Sequence, residues 1–312
     1  MENFLSTLNQ RDFKPVIGLS DIESTTTGYL IDSNVPDLLA FSAHHSIQST
    51  FEEEYASGAI ILQDKASCIP VILLDSPRGA QVLDACAAPG NKTIQLAAAV
   101  GPTGHVVAVE RDQKRGETLR LMVEKAGAAK CRANPLDKHT NEPVTEIING
   151  DFTNVEPAAF GSITHILLDP SCSGSGLNRP DYTPDTDSDL QNRLRRLARF
   201  QTILLKHAMS FPNVQKIVYS TCSIHAEENE QVVSTALKEM EGWRIVTRDE
   251  QVDGLRKWAR RGLIEESPST EVAEACIRCE RGTDGTIGFF AVAFTRSPKE
   301  TGIDEEEWQG IP

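Results

Sequence analysis

The sequence predicts an α/β fold in which a mostly parallel central sheet is covered by helices and carries an antiparallel hairpin at one edge. Three observations lead there. From Val82 onward, apolar runs alternate with stretches of helical periodicity. The runs are nearly continuous in apolar character, as strands buried on both faces require. Several loops follow those strands at their carboxyl ends, where open α/β sheets bind ligands.

Taken in order, Gln81–Ala85 reads as a buried strand, followed by a Gly-containing loop over Ala87–Asn91 and a helix from about Lys92. His105–Val109 is the next strand, with Glu110 at its carboxyl end, and a helix runs through Arg115–Ala126. Ile147–Ile148 marks a short third strand leading to Asp151, and His165–Leu168 a fourth that ends at Asp169-Pro170. Leu194, Leu197, Ile203, Leu204 and Ala208 recur at helical spacing within Leu190–Met209. Lys216–Tyr219 is a fifth strand, running into Ser220, Thr221 and Cys222, with a helix over Glu227–Met240. Ala275–Arg278 and Gly288–Thr295 form the edge hairpin. Pro180–Ser188 and Leu263–Thr270 are loops, and the acidic tail over 299–312 is expected to be disordered. Residues 1–64 carry weaker patterns and read as a short separate N-terminal part, before a main domain over 65–298.

With 312 residues the chain can bury a substantial core, and 39% apolar with 24% charged residues is ordinary for a globular protein. No apolar run is long enough to span a membrane, and the first thirty residues match neither a signal nor a transit peptide. An intracellular protein is expected. Seven cysteines, an odd number, do not suggest a disulfide framework. Cys276 and Cys279 have CxxC spacing but lack a second pair, and the histidines (His44, His45, His165, His207, His225) show no metal-ligand spacing. No metal site is expected. A net charge of −14 argues against broad electrostatic adhesion to nucleic acid, though local basic patches remain compatible with an RNA substrate.

The strongest local signal is Asp84-Ala-Cys-Ala-Ala-Pro-Gly-Asn-Lys-Thr93. A strand running into a small-residue loop and then a helix lets backbone amides approach a ligand closely. Glu110, twenty residues past Gly90, is suited to accept both ribose hydroxyls of a nucleoside. A dinucleotide or S-adenosylmethionine would fit, but the loop is not GxGxxG, which disfavours the dinucleotide. Two further strand ends carry Asp169-Pro-Ser-Cys-Ser-Gly-Ser-Gly176 and Tyr219-Ser-Thr-Cys-Ser-Ile224. A single cysteine is more often inert packing than a reactive thiol. Two at strand ends, beside a nucleoside loop and a carboxylate, reverse that expectation. Spacing alone does not say which of Cys172 and Cys222 attacks.

On these residues the chain resembles the Sun-domain (NSUN) RNA cytosine-5 methyltransferases, and within them the branch numbered five, which modifies large-subunit ribosomal RNA. The matching stretches are VPDLLAF (Val35–Phe41), ILQDKASCIP (Ile61–Pro70), DACAAPGNKT, ILLDPSCSGSG, IVYSTCSIHAEENE (Ile217–Glu230) and GFFAVAF (Gly288–Phe294). Ser171, where many relatives have Pro, is itself a pointer to branch five. The likeness runs from about Val35 to Arg296. It implies a Rossmann-like class I methyltransferase fold that uses S-adenosyl-L-methionine. It also implies that Cys86, Ala87, Ala88, Pro89, Gly90, Asn91 and Lys92 line the methionine and ribose portions of the cofactor. Glu110 would hold the ribose hydroxyls, Arg115 and Asp151 would lie near the adenosine end, and Asp169 would face both cofactor and base. Cys222 would be the nucleophile, Cys172 the thiol that assists release, and Lys92 an aid at the base's polar edge. Residues 1–64 would be a shortened RNA-binding part, the partners large-subunit rRNA or pre-ribosomal particles, and the location the nucleus, within it the nucleolus. The alternative is a ribosome-assembly factor that keeps the fold without catalysis. DNA cytosine-5 methyltransferases, whose nucleophile sits in the Cys172 loop, and nicotinamide-dependent dehydrogenases are weaker rivals.

Two basic stretches flank the motif loops: the helix carrying Arg193, Arg195, Arg196, Arg199 and Lys206, and Lys257–Arg261. Both are candidates for RNA contact, although most such runs are solvated faces. Trp258, within the second, is suited equally to stacking on a base or to packing.

Overall fold

Side chains on successive residues of a strand point to opposite faces, and in this chain both faces are apolar. Val82 packs into one core and Leu83 into the other; Val106 and Ala108 divide likewise from Val107 and Val109, and Leu167 from Ile166 and Leu168. Such strands need covering on both sides, and two hydrophobic cores sandwich the sheet. These features come from a computed structural model that describes residues 2–128, 144–177 and 187–297.

A small N-terminal sheet comprises β1 (Lys14–Pro15), β2 (Gly28–Ile31) and β3 (Leu39–Phe41). It has its own apolar cluster around Leu8, Phe13, Tyr29 and Phe51. Lys65 ties this part to the main body, pairing with Asp32 at 2.7 Å and donating to Asn34.

The central sheet contains β4 (Gln81–Asp84), β5 (His105–Glu110), β6 (Val144–Asn149), β7 (His165–Leu168), β8 (Lys216–Thr221), β9 (Trp243–Ile245), β10 (Ile277–Cys279) and β11 (Phe289–Arg296). Its order is β10-β11-β8-β7-β4-β5-β6, with β9 also on β11. Strands β4 to β8 are mutually parallel; β11 runs antiparallel to β8, and β9 and β10 antiparallel to β11. The chain winds from β4 outward through β5 and β6, then returns to β7 beside β4. Strand order therefore reverses between β4 and β7, and the crevice above their carboxyl ends is where such sheets bind ligands.

Most predicted elements are present, and two differences stand out. The expected helix over Glu227–Met240 is a 3-10 turn (Ala226–Glu228) followed by an α-helix (Glu230–Glu239), broken at Asn229, whose φ is −117° and ψ −99°. Strand β9 has no counterpart in the sequence pattern, because three residues between a turn and a loop carry too little of it. The expected antiparallel hairpin is present at the sheet edge as β10 and β11, with β11 pairing β8 on one side and β9 and β10 sharing the other. The loop expected over Pro180–Ser188 lies mostly outside the described residues, and the acidic tail wholly so.

Candidate active site

Four strand ends converge on one crevice: Asp84 and the Cys86–Asn91 loop after β4, Glu110 at the end of β5, Asp169 after β7, and Cys222 after β8. The loop after β4 is tightly drawn. Ala87 donates its amide to Val109, Ala88 donates to Glu110 Oε2 at 3.2 Å, and the Ala88 carbonyl accepts from Arg115 at 2.8 Å. Pro89 follows a cis bond, and Gly90 adopts φ +121° at the helix N-cap. A side chain at Gly90 would press on Leu119 and Met122 as well as straining the backbone.

Beyond this loop lies a cleft of about 170 Å³, lined by Cys86, Glu110, Asp112, Arg115, Asp151 and Phe200 among others. Glu110 also accepts from the Asp112 amide at 2.9 Å, and Arg115 lies 3.8 Å from its carboxylate. Asp151 caps the short turn after β6 through Thr153 and faces Arg111 at 3.6 Å. Carboxylates on the rim and the Phe152, Phe200 and Leu204 side chains behind them suit a ligand with hydroxyls and a flat apolar ring. Three acids and two arginines, Arg111 and Arg115, line it, so the cleft has no excess of positive charge to hold a phosphate, and the set fits a phosphate-free nucleoside such as that of S-adenosylmethionine.

At the other end of the crevice the sulfurs of Cys172 and Cys222 lie 3.1 Å apart as free thiols. The contact makes them unequal. Donation from Cys172 lowers the pKa of Cys222, with Lys92 nearby adding to the effect against burial and the Asp169 charge. That of Cys172 is raised by the same contact and by burial. Lys92 sits 2.7 Å from Asp169 Oδ2, donates to Ser67 Oγ at 2.8 Å and lies over the Phe289 ring. Burial opposes its charge, but Asp169 more than offsets this and holds its pKa above the usual value. Ser220 Oγ donates to the other Asp169 oxygen at 2.9 Å. Removing either partner of a pair this enclosed would leave a stranded charge.

The site thus brings together Cys172, Cys222, Asp169 and Lys92 at one end, and Cys86, Glu110, Arg115 and Asp151 at the other. Asn91 is turned away: its side chain donates to the Leu62 carbonyl and lines a separate cavity against Val35–Gln63. The other cysteines among the described residues contrast with the pair. Burial pushes Cys68 and Cys279 up to about 12 and raises Cys86 and Cys276 too. Asp84, buried with one oxygen on Thr93, is raised to about 6 by burial.

Sequence reasoning missed several neighbours. Asp112 and Ser171 line the cleft, Phe200 reaches it from the long helix Asp187–Met209, and Ser67 and Ser220 brace the ion pair. Ser67, Ser171 and Ser220 stand within the motif stretches, where nothing in the pattern gives them a role, and Asp112 left a signal as a helix N-cap directly after a strand.

The two basic stretches fare differently. Among the described residues Arg195, Arg196 and Arg199 are exposed and make no ion pair. In the second stretch Lys257 pairs with Asp253, Arg260 with Asp284 and Glu280, and Arg261 is buried on Gln251 and two carbonyls. Trp258 is 6% exposed and donates to the Arg278 carbonyl, so it packs and has no free face for a base. Its spacing looks like that of a surface group because burial here comes from β10 and the N-terminal part, distant in sequence.

The family model described as 16S rRNA methyltransferase RsmB/F matches residues 71–275. The chain belongs to that family. Within the RsmB/F methyltransferases it is similar to the Schizosaccharomyces pombe protein named 25S rRNA (cytosine-C(5))-methyltransferase rcm1, 40% identical over 87% of this chain and 56% of that one. It is also 38% identical to the Arabidopsis thaliana protein named 25S rRNA (cytosine-C(5))-methyltransferase NSUN5, over 86% of this chain and 45% of that one. The resemblance to branch five is thereby met, and the chain spans about half the length of these relatives. A solved methyltransferase homologue from Pyrococcus horikoshii shares the fold, with a TM-score of 0.69 over 95% of this chain and 82% of that one at 24% identity.

Proposed function

We propose that this protein methylates carbon 5 of a cytosine in RNA, with large-subunit ribosomal RNA as the substrate class, through a covalent bond from Cys222 to the base. The observation that carries the reading is the thiol pair, 3.1 Å apart, beside the Lys92–Asp169 pair and a cleft whose carboxylates and apolar side chains suit a nucleoside. S-adenosylmethionine, when bound, supplies an electrophilic sulfonium methyl group. On this reading Glu110, Arg115 and Asp151, which line the cleft with Cys86, hold its nucleoside end, and the loop from Cys86 to Gly90 together with Lys92 holds its methionine end.

Cytosine carbon 5 is a weak nucleophile until its ring is activated. The Cys222 thiolate forms a bond to carbon 6, the carbon 5–carbon 6 π pair shifts to the carbon 4–carbon 5 bond, and the carbon 4–N3 π pair moves onto N3, which makes carbon 5 enamine-like. Asp169, held as an acceptor by Lys92 and Ser220, is suited to the base's exocyclic amino group. The Lys92 ammonium is the cation nearest the negative charge that develops along the same edge. Once carbon 5 carries the methyl group, loss of its proton returns an electron pair to the carbon 5–carbon 6 bond as the sulfur–carbon bond breaks. Cys172, touching the departing sulfur, assists that step.

Labelled methyl transfer to total RNA, followed by mapping of the modified base, tests the reading. Label in a position other than cytosine carbon 5, or no transfer at all, would overturn it. Comparing Cys172→Ala with Cys222→Ala separates the roles: only the first should still form a protein–RNA adduct. The same reading carries nuclear and nucleolar residence, checked by imaging the tagged chain, and an RNA-holding role for residues 1–64.

A further inference from the structure

Each cysteine of the pair sits in a peptide unit gripped from both sides. Around Cys172, the Ser171 carbonyl accepts from Gln201 Nε2 at 3.1 Å and the Ser173 amide donates to Glu228 Oε1 at 2.9 Å. Gln201 also donates to that Glu228 oxygen at 2.9 Å, closing a bracket over Cys172. Around Cys222, the Thr221 hydroxyl donates to Asn229 Oδ1 at 2.6 Å and Asn229 Nδ2 donates to the Ser223 carbonyl at 2.9 Å. Glu228, Asn229 and Gln201 are all fully buried. The two brackets thus spring from adjacent residues.

The backbone supports this. The helix that sequence alone would run unbroken through this segment breaks at Asn229, which lets neighbouring side chains reach different loops. Tyr219, three residues before Cys222, donates to the Glu228 carbonyl at 2.6 Å. Glu230 completes the anchor by a two-bond pair with buried Arg278, which in turn donates to the Ile224 carbonyl. An ionisable group is rarely buried this fully without a specific partner. Here the Glu228 partner is the backbone beside a reactive thiol.

We propose that Glu228 and Asn229 are positioning residues: together they fix the separation of the Cys172 and Cys222 sulfurs, and neither touches substrate. This rests on the reading of Cys222 as the nucleophile, but its test does not require methyl transfer. The Cys172 thiol donates to Cys222 only while the contact is short, since hydrogen bonds weaken steeply with distance. Loosening either bracket should therefore leave Cys222 less acidic.

The experiment measures alkylation of Cys222 by iodoacetamide against pH in the full chain, read by peptide mass spectrometry. Glu228→Ala and Gln201→Ala should move the midpoint of the Cys222 profile upward by about one pH unit. Glu228→Gln keeps an acceptor oxygen for Ser173 and should restore the wild-type midpoint. Methyl transfer by Glu228→Ala should fall about 100-fold in kcat with little change in KM, the size of effect that a displacement near 1 Å produces. A purely structural role would lower the unfolding temperature without moving the alkylation midpoint. Should Glu228→Ala fail to fold, Gln201→Ala decides. A folded bracket variant with the wild-type midpoint overturns the proposal. If the wild type alkylates as expected but methylates no RNA, the functional reading fails while the positioning role stands.

Discussion

At the nucleoside end of the cleft the carboxylates stand at strand ends and bond to nearby backbone or lie beside partly exposed arginines, whereas at the thiol end each candidate catalytic group contacts another enclosed side chain. Glu110 accepts from two amides of neighbouring loops, and Arg115 stands 3.8 Å from it. Cys172 instead touches Cys222, and Asp169 pairs with Lys92 between Ser67 and Ser220, while Glu228 and Asn229 grip the residues that flank each cysteine. The difference follows from the tasks. A binding group must exchange partners when ligand arrives. A reacting group gains from being held in place beforehand, because orientation itself removes part of the barrier.

The contrast can be broken most severely at the thiol end. Cys222→Ala should reduce methyl transfer by about 10⁴-fold or more, the range seen when a nucleophile is deleted, while cofactor affinity by calorimetry stays unchanged. Equal loss of both would mean that the two ends are not separable. Glu110→Ala should do the reverse, weakening cofactor binding by about 10- to 100-fold, as expected for loss of charge-assisted bonds, with kcat at saturation little altered.

pH should discriminate next. On the proposed mechanism Cys222 reacts as its thiolate, and its pKa is depressed by the Cys172 contact and by Lys92. Transfer should therefore hold steady above that depressed value and fall about tenfold per pH unit below it. In Cys172→Ala, which lacks the donated bond, the fall should begin at higher pH. Cofactor affinity over the same range should show no matching break.

The smallest effects belong to RNA contact. Alanine at Arg195, Arg196 or Arg199 should each weaken RNA binding a few-fold. Each should also make the salt dependence shallower, by about 0.7 in slope for every phosphate that is no longer neutralised. Lys257→Ala, whose ammonium is already engaged by Asp253, should change neither. Filter binding across a salt series reads all four.

Much of this molecule was legible before folding. Strands such as His105–Glu110 and His165–Leu168 announce themselves because burial on both faces demands unbroken apolar runs. Motif residues at their ends then had to share one edge, as parallel strands in register bring their carboxyl ends together. The N-terminal sheet was not legible, since strands of two to four residues carry little periodicity and its cluster joins Leu8 to Phe51 across a long gap.

By itself, then, the amino-acid order determined the sheet, the crevice and the cast of Cys172, Cys222, Asp169 and Glu110, because these depend on local periodicity and chain reversal. Only the tertiary structure decided which cysteine is the more acidic, which basic stretch faces solvent, and that Glu228 and Asn229 look inward. Those properties arise from contacts between segments remote in sequence. Lys92 meets Asp169 across 77 positions and Ser67 across 25, and no local pattern encodes such meetings.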